Sequence, residues 1–321
     1  MPLPPPPPST TSLATIGNTP VLHLANINPN TSTHASIYLK LESTNPTGSY
    51  KDRMAQSMLE AAERRGDLKP GMTVVEATGG STGSSLAFIC AVKGYKFHVV
   101  SSDVFAQEKI RTMQAFGADV DLVPCPGGKI TKELFPEMMR RAKAVVESDE
   151  KEHYYTNQFR NADALQGYEG LGRELVQQFP DGIDAFCGAA GSAGMVMGVS
   201  RVLKKEQGGQ TKVVVLEPAS SPVMTEGRAG VHGVEGIAPG FVPPHLDEAL
   251  YDEARGISEE EGRAMCRRLA REEGILVGTS TGLNVVAAVA LAKELGPGKT
   301  VVTVACDTGL KYMNSDLFAD N

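Results

Sequence analysis

Between residues 73 and 305, short runs rich in β-branched residues alternate with longer stretches of helical period. That alternation narrows the possible folds more than any other property of the chain. Residues 73–77, 97–101, 120–123, 184–187, 212–216, 275–277 and 300–305 read as strands, and 36–42 as an earlier one; the strand pattern also resumes from residue 154. Helices are expected over 53–65, 84–93, 106–116, 131–147, 162–178, 195–205, 258–273 and 282–295. Strands separated by helices return in parallel after a crossover, so the fold class is α/β with open, largely parallel sheets. Residues 16–21 read as a turn and 219–252 as a long, mostly irregular region. At 321 residues the chain is long enough for two domains, and the charged stretch at 148–152 is the natural boundary.

The helix near residue 53 opens from a turn, NPTGSYKDR (45–53), punctuated by Pro46 and Gly48, with Ser49 placed as its N-cap. Lys51 then falls in the first helical turn. Positive charge is disfavoured there, which suits a nucleophilic amine. Two further turns carry the strand, glycine-rich loop and helix order that binds anions on backbone N–H groups: TGGSTG (78–83) and GAAGSAG (188–194). Neither is a Walker loop, and a dinucleotide fingerprint is poorly matched. An activated amine with two anion cradles fits pyridoxal 5'-phosphate and an amino-acid substrate, since that pair brings an aldehyde, a phosphate and a carboxylate.

Composition sets outer limits. The net charge of −7 disfavours nucleic acid and anionic membranes as partners. No apolar run approaches a membrane span, and no metal-ligand spacing is present. The five cysteines are scattered and odd in number, which suggests buried thiols in a reducing, cytoplasmic setting. Residues 1–12 form a proline-rich stretch with no apolar core, expected to be a disordered or polyproline II tail rather than a signal peptide.

The motifs IGNTP (16–20), NPTGSYKDR (45–53), TGGSTG (78–83), NQF (157–159), GSAGMVMG (191–198), GIAPGFVP (236–243) and DTGLKY (307–312) occur in that order. Together they resemble the cysteine synthase and cystathionine β-synthase family, pyridoxal-phosphate enzymes of fold-type II with a tryptophan-synthase-β-like architecture. The resemblance implies two α/β domains: a smaller, mobile one at 45–153, and a larger one built from 13–44 plus 154–321. It implies that Lys51 is the Schiff-base lysine. Gly191, Ser192, Ala193, Gly194 and Met195 then hold the cofactor phosphate, and Ser280 faces the pyridine nitrogen. Thr78, Gly79, Ser81, Thr82 and Gln158 hold the substrate carboxylate, while Gly236 and Ile237 lie over its amine. Ser81 also belongs to the cofactor set, because relatives usually carry an Asn there that contacts the ring oxygen. The alternative for Ser81 is a cap of the helix beginning near residue 84, and Ser280 can combine its role with that of an N-cap before Gly282. The implied activity is β-replacement giving cysteine, by a homodimer acting on a small amino acid. β-Elimination is the rival, and a catalytically silent homologue a further one.

Overall fold

The computed structural model describes residues 8–128, 130–131 and 133–319. Residues 1–7 of the expected tail lie outside them. The elements in chain order are β1 (Val21–His23), β2 (Ser36–Lys40), α1 (Lys51–Arg65), β3 (Thr73–Ala77), α2 (Ser81–Lys93), β4 (Lys96–Ser102), α3 (Gln107–Ala115) and β5 (Asp119–Val123). Next come α4 (Leu134–Ser148), β6 (His153–Tyr155), α5 (Asp163–Gln178), β7 (Ala185–Ala189), α6 (Gly194–Glu206), β8 (Lys212–Pro218) and α7 (Val223–Glu226). β9 (Glu253–Ile257), α8 (Glu259–Arg268), α9 (Thr279–Leu295) and β10 (Thr300–Val304) complete the order.

The strands form two sheets. The larger has the order β1-β2-β10-β7-β8-β9, and the smaller β5-β4-β3-β6. Every pairing is parallel except β1 with β2. Parallel strands need helices on both faces, and both faces of these strands are accordingly apolar. Val213 and Val215 of β8 face the central core, while Val214 and Leu216 face the opposite core under α9. Val74 and Val99 likewise turn inward, whereas Val75 and Val100 pack under α4 with Phe135 and Met138. Each fully buried valine of this kind stabilises the fold by about 1.5–3 kcal/mol. The central core is shared by the two sheets through Met54 and Met58 of α1, Leu86 of α2, Tyr168 of α5 and Val199 of α6. β6 joins the smaller sheet beside β3, so that sheet runs on to Tyr155.

Several local expectations are corrected. Residues 275–277 do not form a strand; Val277 makes only an isolated bridge to Thr308. β1 occupies part of the expected turn, and β9 was not expected, because Glu253 and Arg255 break the apolar pattern on this edge strand. Three helices start earlier than their apolar period suggests: α1 at Lys51, α2 at Ser81 and α9 at Thr279. Ser49 is therefore not the N-cap of α1, which is Tyr50, although Ser49 Oγ accepts the Lys51 N–H at 3.3 Å. Ser81 and Ser280 are not caps either. Both lie inside the first turn of their helices, behind Gly80 and Gly278. The thiols of Cys90, Cys187, Cys266 and Cys306 are buried, while Cys125 is half-exposed.

Candidate active site

A cleft opens at the carboxyl ends of the strands, between the two sheets. It is lined by Lys51, Thr78, Gly79, Gly80, Ser81, Thr82, Phe135, Gln158, Phe159, Gly191, Ser192, Gly236, Ile237 and Pro239. Lys51 stands at the start of α1, and its Nζ lies 4.8 Å from the centre of the Tyr50 ring. The side chain is buried, and burial pushes its amine down to about 8, while the acidic groups Cys306, Asp307 and Glu76 pull the other way. Burial thus lowers this pKa more than any other cause.

On one side, the loop after β3 turns into α2, so Ser81 and Thr82 occupy the first turn of that helix. Backbone N–H groups are unpaired in a first turn and attract anions. Thr82 Oγ1 donates to Gln158 Oε1 at 2.8 Å, and Gln158 Nε2 donates to the Ala77 carbonyl at 3.3 Å. Beneath them Glu76 is buried. Its Oε2 accepts from Thr156 Oγ1 at 2.6 Å and from the Gln158 N–H at 2.9 Å, and its Oε1 accepts from the Ala77 N–H at 2.8 Å. Burial raises the Glu76 carboxyl to about 7, against those hydrogen bonds. Ser81 Oγ donates to Asp307 Oδ2 at 3.0 Å, and Tyr312 donates to the same oxygen at 2.9 Å. Lys311 Nζ lies 3.5 Å from Ser81 Oγ, and burial pushes its amine down to about 8.

On the other side, the loop after β7 leads into α6. A Cβ on Gly191 would lie 2.3 Å from the Gly236 carbonyl oxygen, so only glycine lets these two segments touch. Gly191 and Ser192 line the cleft; Ala193, Gly194 and Met195 do not. Ala193 takes a left-handed backbone at φ 63°, and Gly194 starts α6. Met195 turns into the core, where its methyl group packs against Gly188. Ser280 also lies outside the cleft lining, in the first turn of α9 against the Cys306 thiol, which burial holds up at about 12. The cleft thus brings together Lys51, Thr78, Gly79, Ser81, Thr82, Gln158, Gly191, Ser192, Gly236 and Ile237.

The residues not singled out from sequence are of two kinds. Phe135, Phe159 and Pro239 add apolar walls, and Phe135 comes from an amphipathic helix whose pattern says only that it is buried. Glu76, Asp307 and Tyr312 act behind the lining. Asp307 and Tyr312 belong to the DTGLKY motif, which marks the place without assigning them a role.

A buried amine of lowered pKa between two helix N-termini is a fit for a cofactor bearing an aldehyde and a phosphate. Comparison with known proteins agrees. The family model described as pyridoxal-phosphate dependent enzyme matches residues 13–307. A protein of Staphylococcus aureus named cysteine synthase is 42% identical over 306 residues, covering 95% of each chain. The crystal structure of a cysteine synthase from Entamoeba histolytica superposes with a TM-score of 0.92 at 29% identity, covering 100% of this chain and 94% of its own. That of a hydrogen sulfide-producing enzyme from Fusobacterium nucleatum does so with a TM-score of 0.87 at 32% identity, covering 95% and 100%. With the family model spanning residues 13–307 and a cysteine synthase 42% identical along 95% of its length, the chain belongs to the pyridoxal-phosphate-dependent enzymes of the cysteine synthase family.

Proposed function

We propose that the protein catalyses β-replacement on a small amino acid: a leaving group departs from the β-carbon and sulfide adds there to give cysteine. The observation that carries this reading is the Lys51 amine, buried and lowered to about 8 between the 78–82 loop and the 191–192 loop. Pyridoxal phosphate, when bound, supplies the electron sink for the bond broken at the α-carbon. Lys51 holds the cofactor in the resting enzyme and takes the α-proton of the substrate as general base. Thr78, Gly79, Ser81, Thr82 and Gln158 hold the substrate carboxylate on the N-terminus of α2. Gly191, Ser192, Ala193, Gly194 and Met195 hold the phosphate. With Met195 turned inward, backbone N–H groups and Ser192 do that work. Ser280 serves the pyridine nitrogen with a neutral hydroxyl, and Gly236 and Ile237 close over the substrate amine. The free, mostly buried cysteines support a reducing, cytoplasmic setting.

Net β-elimination is the second reading. It is favoured by Ser81, a short side chain already engaged by Asp307, and by the sulfide-producing relative. O-Acetylserine, serine and cysteine supplied with and without sulfide separate the two. Cysteine formed from O-acetylserine and sulfide supports replacement. Pyruvate formed without sulfide supports elimination. No turnover and no spectral change with any amino acid refutes both.

The smaller unit at 45–153 closes on the rest when carboxylate binds the 78–82 loop, and two copies assemble as a dimer. The 78–82 loop follows a strand of the smaller sheet and the 191–192 loop a strand of the larger, which supports the closure. Small-angle scattering with and without a bound amino acid reads both the mass and the compaction.

A further inference from the structure

Lys109 lies outside the cleft lining and outside every motif discussed so far, yet its side chain reaches both walls of the cleft. It sits on α3, which packs with the smaller sheet. Its aliphatic stem runs under the turn before α2. A Cβ on Gly80 would stand 2.4 Å from Lys109 Cδ, so glycine at 80, with its φ of 139°, makes room for the stem. The ammonium is buried. It meets Glu235 Oε2 at 2.7 Å, donates to Tyr312 Oη at 2.8 Å, and lies 4.0 Å from Asp307 Oδ2.

Each of these contacts leads to a cleft residue. Glu235 immediately precedes Gly236 and Ile237, on the connection between β8 and β9 of the larger sheet, and its Oε2 also accepts the Ala106 N–H at 3.4 Å. Tyr312 and Ser81 share the same oxygen of Asp307. Gly80 is flanked by Gly79 and Ser81. One cation thus ties the carboxylate loop to the segment facing it across the cleft. A buried ion pair is a weak source of net stability, but removing one partner is costly and the geometry it fixes is specific.

We propose that Lys109 is a positioning residue: its stem beneath Gly80 and its ion pair to Glu235 set the separation of the 78–82 and 236–237 segments, and so the affinity for the amino-acid substrate. The proposal rests on the 78–82 loop being the carboxylate site. Lys109 acts through these segments and touches neither substrate nor cofactor.

The test uses the cofactor-loaded enzyme, four single variants and the double variant of Lys109→Met with Glu235→Gln. Lys109→Met keeps the stem and removes the charge, Lys109→Arg keeps the charge, Glu235→Gln keeps Lys109, and Thr82→Val probes the carboxylate loop alone. Amino-acid affinity is read by spectral titration with serine and O-acetylserine, alongside kcat, the absorbance of the lysine-bound cofactor and the melting temperature. Lys109→Met and Glu235→Gln should each weaken amino-acid binding about tenfold, the scale of one lost charge-assisted hydrogen bond, with cofactor absorbance retained and kcat little changed. The double variant should be no worse than either single one, and Lys109→Arg should recover part of the loss. Unchanged affinity in Glu235→Gln, or effects that multiply in the double variant, overturns the clamp. A fall in melting temperature with no change in affinity overturns it too, by making the pair merely structural. If Thr82→Val binds amino acids normally, the carboxylate-loop reading fails, and the proposal with it.

Discussion

Replacing Glu76 with Gln tests whether a buried carboxyl holds the Gln158 corner of the cleft. Glu76 is 1% exposed, and burial raises its carboxyl from 4.5 to about 7. Between those values the folded protein holds a proton that the unfolded chain has lost, so this group's contribution to stability falls as pH rises. The fall starts near pH 4.5, is complete just above 7, and amounts to about 3 kcal/mol at about 1.36 kcal/mol per unit. Glutamine has no such titration. Its amide turns its one oxygen to Thr156 and Gln158, which offer two donors, and its nitrogen to the single Ala77 N–H. At acid pH the variant is therefore less stable by about 1–3 kcal/mol, the cost of one unmet buried donor. By pH 8 it should be level with the native protein or up to about 2 kcal/mol more stable. The assay is urea unfolding of cofactor-free protein at pH 4.5, 6, 7 and 8, followed by circular dichroism because the chain has no tryptophan. Cofactor-free protein keeps Lys51 as the free amine that this balance includes. A stability gap that stays within about 1 kcal/mol across the series would refute the burial argument.

Three shorter predictions address the other walls. With its amine at about 8, Lys51 is about one-quarter unprotonated at pH 7.5, against about 0.1% for an ordinary lysine. Cofactor uptake by cofactor-free protein should therefore rise with pH to a half-maximum near 8, and Lys51→Ala should lose the absorbance of lysine-bound cofactor altogether. Gly191→Ala, whose Cβ would meet the Gly236 oxygen at 2.3 Å, should weaken cofactor binding about tenfold more than Gly194→Ala, whose nearest neighbour is Tyr168 at 3.3 Å. Equilibrium dialysis ranks the two, and equal retention would contradict the placement. Ser81→Asn, which disturbs the Asp307 contact, should shift the ratio of replacement to elimination by about two- to twelvefold, since one buried hydrogen bond is worth about 0.5–1.5 kcal/mol. Product analysis with and without sulfide measures that ratio.

The α/β class was legible because burial on both sheet faces writes itself as unbroken apolar runs such as VVVL at 213–216. β9 was not legible, because an edge strand needs no such run. The helix starts at Ser81 and Thr279 were missed for a related reason. Their first turns are built from Ser, Thr and Gly, lining the cleft in α2 and buried in α9, so the apolar period begins late. Lys51 stood out because a lysine in a first turn conflicts with the helix dipole. Lys109 carries no such conflict. Its importance comes from a glycine 29 positions earlier and a glutamate 126 positions later, and neither spacing is local enough to form a pattern.

The central place of β10 bears on how the protein can be made. β10 is the last strand among the described residues, yet it fits between β2 and β7, pairing residues 300–304 with residues 36–40. The smaller sheet is contiguous in sequence and can form on the ribosome as it emerges. The larger sheet cannot. β1 and β2 emerge first and wait for a partner about 260 residues away, a long wait although loop length itself adds little to the entropy of closure. Asp307 and Tyr312 follow β10 directly. A nascent or prematurely terminated chain therefore has an exposed gap in the larger sheet and lacks the anchors of Ser81. The anchoring of Ser81 thus depends on residues made after the whole of the smaller sheet has emerged.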